Sequence, residues 1–242
     1  MKATRGLAIA MVVAAGLTSR AILAQPPPEP AVKEVRTAID SARKEVDAYE
    51  TAGGAADAAD HPAIKWDAAL WAYRERYPRS EAATLASAEA IRLLGRAELW
   101  DRAHARVASL DPDDPAWARV ASPIYEEGIA RKDLPYTIET LARVATATTT
   151  PSIKSSVLLI LGRAYRRQGD LAAATRAVEA AKAAAVVGTP AAEEADGLLY
   201  EIKYLSVGLP APPVSGKPRN GRAIDLAALR GKAVVLVFWG TT

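Results

Sequence analysis

The side chains best suited to chemistry are few. The 242 residues include two histidines and no cysteine. His61 stands directly before Pro62, and His104 follows Ala103 with Arg102 and Arg106 close by. Neither lies in an H-E-x-x-H frame or has a carboxylate at ligand spacing, so no histidine metal site is predicted. A solvated or capping role is expected for both. Asp111, Asp113 and Asp114 cluster as calcium ligands do. Pro112 and Pro115 interrupt them, however, and the glycine and distal glutamate of a calcium loop are missing. They read as a turn and a helix cap. Glu126-Glu127 and Glu193-Glu194 read as solvated helix faces. No nucleophile elbow, phosphate-binding loop or dinucleotide-binding glycine pattern occurs. Without cysteine, these residues can form no disulfide, thiolate metal site or thiol nucleophile. No catalytic, cofactor-binding or metal-binding residue is assigned.

Charge narrows the partners. The chain has 31 basic and 28 acidic residues and a pI near 9.1. Lys2, Arg5 and Arg20 lie in the first 24 residues, which contain no acid, and setting them aside leaves 28 of each sign. A neutral body offers no counterion-release drive for nucleic acid, so none is expected as a partner. Those first residues have the grammar of an export signal. A positive start is followed by the small and apolar run Gly6–Leu17, then Ala21-Ile22-Leu23-Ala24 before Gln25. Cleavage is expected after Ala24, with residues 25–31 as a proline-rich spacer. The apolar run is shorter than the roughly 20 residues of a membrane span. Contact with a membrane is therefore expected only through the export signal, and the mature chain on its periplasmic or extracellular side.

From Val32 to Leu205 the apolar spacing is helical. Val32, Val35, Ile39, Ala42, Val46 and Tyr49 share one face. Trp66, Leu70, Tyr73 and Tyr77 form a second stripe that Pro78 stops, and Ser80-Glu81 opens a third helix. Leu99, Ala103, Val107 and Leu110 mark a fourth. Asp114-Pro115, Thr150-Pro151 and Thr189-Pro190 each place a capping side chain before a proline that the first turn tolerates. Gly95, Gly128 and Gly162 recur at spacings of 33 and 34 residues. The copy from Leu158 through Gly162, Tyr165, Gly169-Asp170, Ala174 and Val178 to Ala181 resembles a tetratricopeptide repeat. That resemblance implies antiparallel helical hairpins meeting at Gly162 and Ala174. It also implies a surface for a peptide or protein partner. Trp66, Trp71, Trp100 and Trp117 are expected to be packing residues.

Beyond Leu205 the pattern changes. Gly208 to Pro213 cannot be helical, and Gly216, Pro218 and Asn220-Gly221 continue as turns. Arg222–Ile224 reads as extended and Asp225–Leu229 as a helical turn closed by Arg230-Gly231-Lys232. Ala233–Phe238 is an uninterrupted apolar run, as in a strand buried on both faces. The order Gly208-Leu209-Pro210-Ala211-Pro212, Gly221, Leu229-Arg230-Gly231-Lys232 and Phe238-Trp239-Gly240-Thr241 resembles the opening of the redoxin family. These are thioredoxin-fold proteins, comprising membrane-facing thiol–disulfide oxidoreductases and the related peroxiredoxins. The resemblance covers about one seventh of the chain.

It implies a Cys-x-x-Cys pair one position beyond Thr242, with Phe238, Trp239, Gly240 and Thr241 flanking that active site. A helix amino terminus there would stabilise the attacking thiolate. Trp239-Gly240 in place of a proline favours the oxidoreductase branch over the peroxidase branch. The fold expected is mainly α. A tetratricopeptide-like array over 32–205 precedes the incomplete start of an α/β thioredoxin-like domain at 206–242. The parent protein would act on a protein disulfide or thiol, whereas these 242 residues, lacking thiols, would be inactive. The competing expectation is a non-catalytic exported scaffold whose helices bind a protein.

Overall fold

The computed structural model describes residues 29–216 and 224–237. The export signal, residues 25–28 of the spacer, and Phe238, Trp239, Gly240 and Thr241 lie outside these. The chain is mainly helical, with nine α-helices among the described residues. They are α1 Glu29–Thr51, α2 Pro62–Arg76, α3 Glu81–Arg96, α4 Trp100–Ala108, α5 Trp117–Ala130, α6 Leu134–Ala147, α7 Pro151–Gln168, α8 Leu171–Ala184 and α9 Pro190–Tyr204.

Each helix is amphipathic or wholly apolar according to its place. Along α1, Ala31, Val35, Ile39, Ala42 and Val46 are buried, while Val32 and Tyr49 are half-buried at the edges of the stripe. The helix starts at Glu29, within the stretch read as a spacer, because Pro30 needs no N–H in the first turn. α7 is central, and its Val157–Leu161 run is buried all round.

Helix starts follow a rule the sequence only half displays. Ser80 Oγ accepts from the Ala83 amide at 3.0 Å, as expected. Asp133 and Asp170 cap α6 and α8 in the same way, accepting from Tyr136 and Ala173. Thr150 and Thr189 occupy cap positions without capping. The Thr150 hydroxyl donates to Asp113 Oδ1, and the Thr189 hydroxyl donates to the Val186 carbonyl. Asp114 Oδ1 accepts from the Ala116 amide in a turn that ends before α5 begins at Trp117. Donation by itself does not bar a cap, since Ser80 Oγ also donates to the Tyr77 carbonyl; at Thr150 and Thr189 no amide bonds the hydroxyl oxygen, and the proline that follows marks the boundary.

The helices form hairpins of α3 with α4, α5 with α6, and α7 with α8. At each hairpin one of the recurring glycines faces the second helix. A Cβ on Gly95 would sit 3.5 Å from the Trp100 ring, in ordinary contact. A Cβ on Gly128 would come within 2.1 Å of Thr137 Oγ1, and on Gly162 within 2.4 Å of Val178 Cγ2. Those two hairpins exist at their present spacing only because no side chain is there. The odd-numbered helices pack in succession, α1 on α3, α3 on α5, α5 on α7 and α7 on α9.

Past α9 the chain is sparse. β1 (Ser215–Gly216) pairs antiparallel with β2 (Ile224–Asp225), and a 3-10 turn covers Leu226–Leu229. Ala233–Val237, expected to be a buried strand, instead carries no strand pairing and is exposed, with Val235 86% accessible. An apolar run adopts strand geometry only where a neighbour supplies ladder hydrogen bonds, and none lies beside it among the described residues.

Gly128→Ala and Gly162→Ala should each destabilise the protein by about 1–3 kcal/mol, because the overlap falls on buried neighbours. Gly197→Ala in exposed α9, where a new Cβ meets nothing within 4 Å, should stabilise by about 0.5–1 kcal/mol. Urea unfolding of the three variants checks the opposite signs.

Candidate functional site

Four buried carboxylates each meet a basic side chain from a separate helix. Glu89 on α3, 2% exposed, accepts from Arg43 of α1 at 2.8 and 2.6 Å and from Arg92 at 2.8 Å. Asp67 on α2 accepts both nitrogens of Arg106 from α4 at 2.8 and 3.0 Å. Asp114 accepts from Arg74 of α2 at 2.5 Å. Glu127 on α5, 6% exposed, lies 2.6 Å from His104 Nε2 of α4 and 3.0 Å from Arg131. The indole of Trp71 lies between two of these cations, 4.3 Å from the Arg106 guanidinium carbon and 5.2 Å from that of Arg74. A charge this far from water must be paired, so each carboxylate specifies which helices meet.

These pairs correct two expectations. Glu127 is not a solvated face residue, because its carboxylate points inward between α4 and α5. Glu126 beside it, and Glu193 and Glu194, are exposed as expected. His104 is neither solvated nor a cap. It stacks on Tyr136 with ring centres 3.9 Å apart and closes against Glu127. Burial raises the Tyr136 hydroxyl above its usual range. His61 does cap, yet it is buried: its Nδ1 accepts from the Ala63 amide at 3.1 Å, and its ring meets Tyr49 edge-on. Trp71 and Trp117 are buried, with Trp66 and Trp100 half-buried. The Trp66 N–H donates to Glu45, which Lys65 also contacts, and together they hold that carboxyl below its usual range.

The three aspartates form the expected turn. Asp111 Oδ1 accepts from the Asp113 amide, and the Asp111 carbonyl accepts from the Trp117 indole N–H at 2.9 Å. Asp113 goes further and binds the loop between α6 and α7. It accepts the hydroxyls of Thr148, Thr149 and Thr150 and the amides of Thr149 and Thr150, all at 2.7–3.0 Å. Led by Thr148, these donors hold its carboxyl far below the ordinary carboxylate range. The proximity of Asp113 to a run of three threonines 35 residues later is invisible to local pattern reading.

An apolar cleft of about 570 Å³ lies between α1 and α2 beside Trp66 and Tyr73, and two polar ones lie along the odd-numbered helices. One cleft of about 640 Å³ lies between α5, α7 and α9, lined by Tyr125, Arg163, Arg166, Arg167, Glu194 and Glu201 among others. Arg163 pairs with Glu194 at 2.6 Å, and Arg166 pairs with Glu201. A second cleft of about 360 Å³ lies between α1, α3 and α5 and includes Arg43, Glu89, Arg92, Arg119 and Ser122. Both are polar and open, suited to binding rather than to excluding water from a reaction.

Among the described residues no group of three or more His, Cys, Asp or Glu side chains could hold a metal ion. No described helix is long and apolar enough to cross a membrane. The four residues assigned as flanking an active site lie outside the described residues. In comparisons with known proteins, no family model, curated protein or solved structure matches the chain.

Two predictions follow the buried charges. Arg106→Ala leaves Asp67 buried without its cation and should cost about 3–5 kcal/mol in thermal or urea unfolding. For Asp113 the native state favours the ionised form, so its stabilisation is present above the free carboxyl value of 3.8 and fades as pH falls below it. Wild type should therefore exceed Asp113→Asn in Tm at neutral pH, with the gap closing as pH drops through that range. A gap independent of pH would contradict the assignment.

Proposed function

We propose that the chain is the amino-terminal part of an exported thiol–disulfide oxidoreductase of the redoxin type, with a tetratricopeptide-like helical array in front. The observation that carries this reading is the ordered motif series from Gly208 to Thr241. In such a domain the strand delivers Phe238-Trp239-Gly240-Thr241 to the mouth of the following helix. A cysteine at that helix amino terminus is held as thiolate and attacks a substrate disulfide, forming a mixed disulfide and releasing one substrate thiol; the second cysteine then attacks that mixed disulfide, closing the Cys–Cys disulfide and releasing the other substrate thiol. The glycine-spaced hairpins and the succession of odd-numbered helices support the tetratricopeptide-like part. Cleavage after Ala24 would free the array on the far side of the membrane. The coding DNA immediately after the Thr242 codon tests the reading. An in-frame Cys-x-x-Cys is expected, and a stop codon there would sink the oxidoreductase assignment.

A second reading is favoured by the two open clefts: a non-catalytic exported scaffold that binds a protein through its odd-numbered helices. On either reading the exposed valines beyond residue 233 promote association of unpaired strands. A fragment of residues 29–205 should remain soluble at concentrations where the 242-residue chain aggregates, as light scattering would show.

A further inference from the structure

We propose that the odd-numbered helices form an arginine-lined groove that takes an extended, acidic segment of a partner protein. This inference rests on the binding-scaffold character of the helical region and names the chemistry of the partner. It needs no thiol domain.

The two clefts share α5. Ser122 lines one and Tyr125 the other, a single helical turn apart on the same face, so the clefts form a continuous path across that helix. Arg43, Arg92 and Arg119 line the first; Arg163, Arg166 and Arg167 line the second. Against these six cations stand three carboxylates, Glu89, Glu194 and Glu201. The excess is local, since the chain beyond residue 24 has equal numbers of each sign. Arg119 and Arg167 are exposed and form no ion pair among the described residues. A guanidinium presents a planar fork that matches a carboxylate with two parallel hydrogen bonds.

The shape selects the class of ligand. A small anion is held best in an enclosed pocket, whereas these clefts are shallow and aligned across successive helices. A nucleic acid needs an unbroken basic track and stacking aromatics, and here Glu194 and Glu201 interrupt the track with Tyr125 as its one aromatic lining residue. An extended peptide fits both constraints. Helices packed side by side are about 8–10 Å apart, so crossing from α3 to α7 spans about 16–20 Å. At about 3.3 Å per residue, two acidic clusters five or six positions apart would reach both arginine groups.

Fluorescence anisotropy with the full chain tests this. The probe is a labelled Glu-Glu-Gly-Ser-Gly-Ser-Glu-Glu peptide; the controls are its lysine counterpart, a glycine–serine octapeptide and an eight-nucleotide thymidine oligomer. Saturable binding of the acidic peptide alone is expected, weakening as salt is raised. The double variant Arg119→Glu with Arg167→Glu should weaken it about tenfold or more, with helical circular dichroism unchanged. Both positions are unpaired and exposed, so the fold does not depend on them. Acidic-peptide binding that the double variant leaves intact overturns the groove. Equal binding of the oligomer overturns the choice of a peptide. Binding of the lysine or glycine–serine peptide overturns the acidic partner while leaving a peptide-binding scaffold standing. Binding of none of the peptides removes both.

Discussion

Two helices can lie together only as closely as the side chains between them permit. At Gly128 and Gly162 the chain places no side chain at all, and much of the architecture follows from that. Close approach brings the hairpin partners Thr137 and Val178 into contact with opposing backbone. Successive odd-numbered helices touch as well, and the polar clefts lie between them. Apolar burial supplies the driving force, but it is non-directional and would accept many helix arrangements. The buried carboxylates narrow the choice further. Glu89 ties α3 to α1 through Arg43, Asp67 ties α2 to α4 through Arg106, and Glu127 ties α5 to α4 through His104.

Features written in local pattern were legible in the sequence. The stripe along α1, the Ser80 cap and the aspartate turn depend on residues within a few positions of one another, and the glycine recurrence shows as a fixed period along the chain. What failed to show depended on partners far along the chain. Glu127 reads as half of an exposed Glu-Glu pair until α4 brings His104 against it, 23 positions away. Thr150 reads as a cap until Asp113 captures its hydroxyl. The apolar run at Ala233–Val237 illustrates the converse: strand character was written locally, but a strand is defined by its neighbours.

The candidate site divides along the same line. Redoxin-type chemistry is legible only as motif order near the carboxyl end, while the clefts appear only once α1, α3, α5, α7 and α9 are stacked. Arg163, Arg166 and Arg167 lie together in the sequence, but Arg43, Arg92 and Arg119 are scattered far from them, and only the stacking of the helices brings the six into line.

Every substantial helix–helix contact joins elements one or two steps apart in chain order. The loops that must close for such contacts are short, so little chain entropy is lost before each new contact forms. A structure of this kind can assemble by zipping, each helix docking on the pair already laid down. It can do so while later residues are still arriving, with no need to wait for the far terminus. Its ends, held by neighbours on one side alone, are correspondingly the places where opening begins.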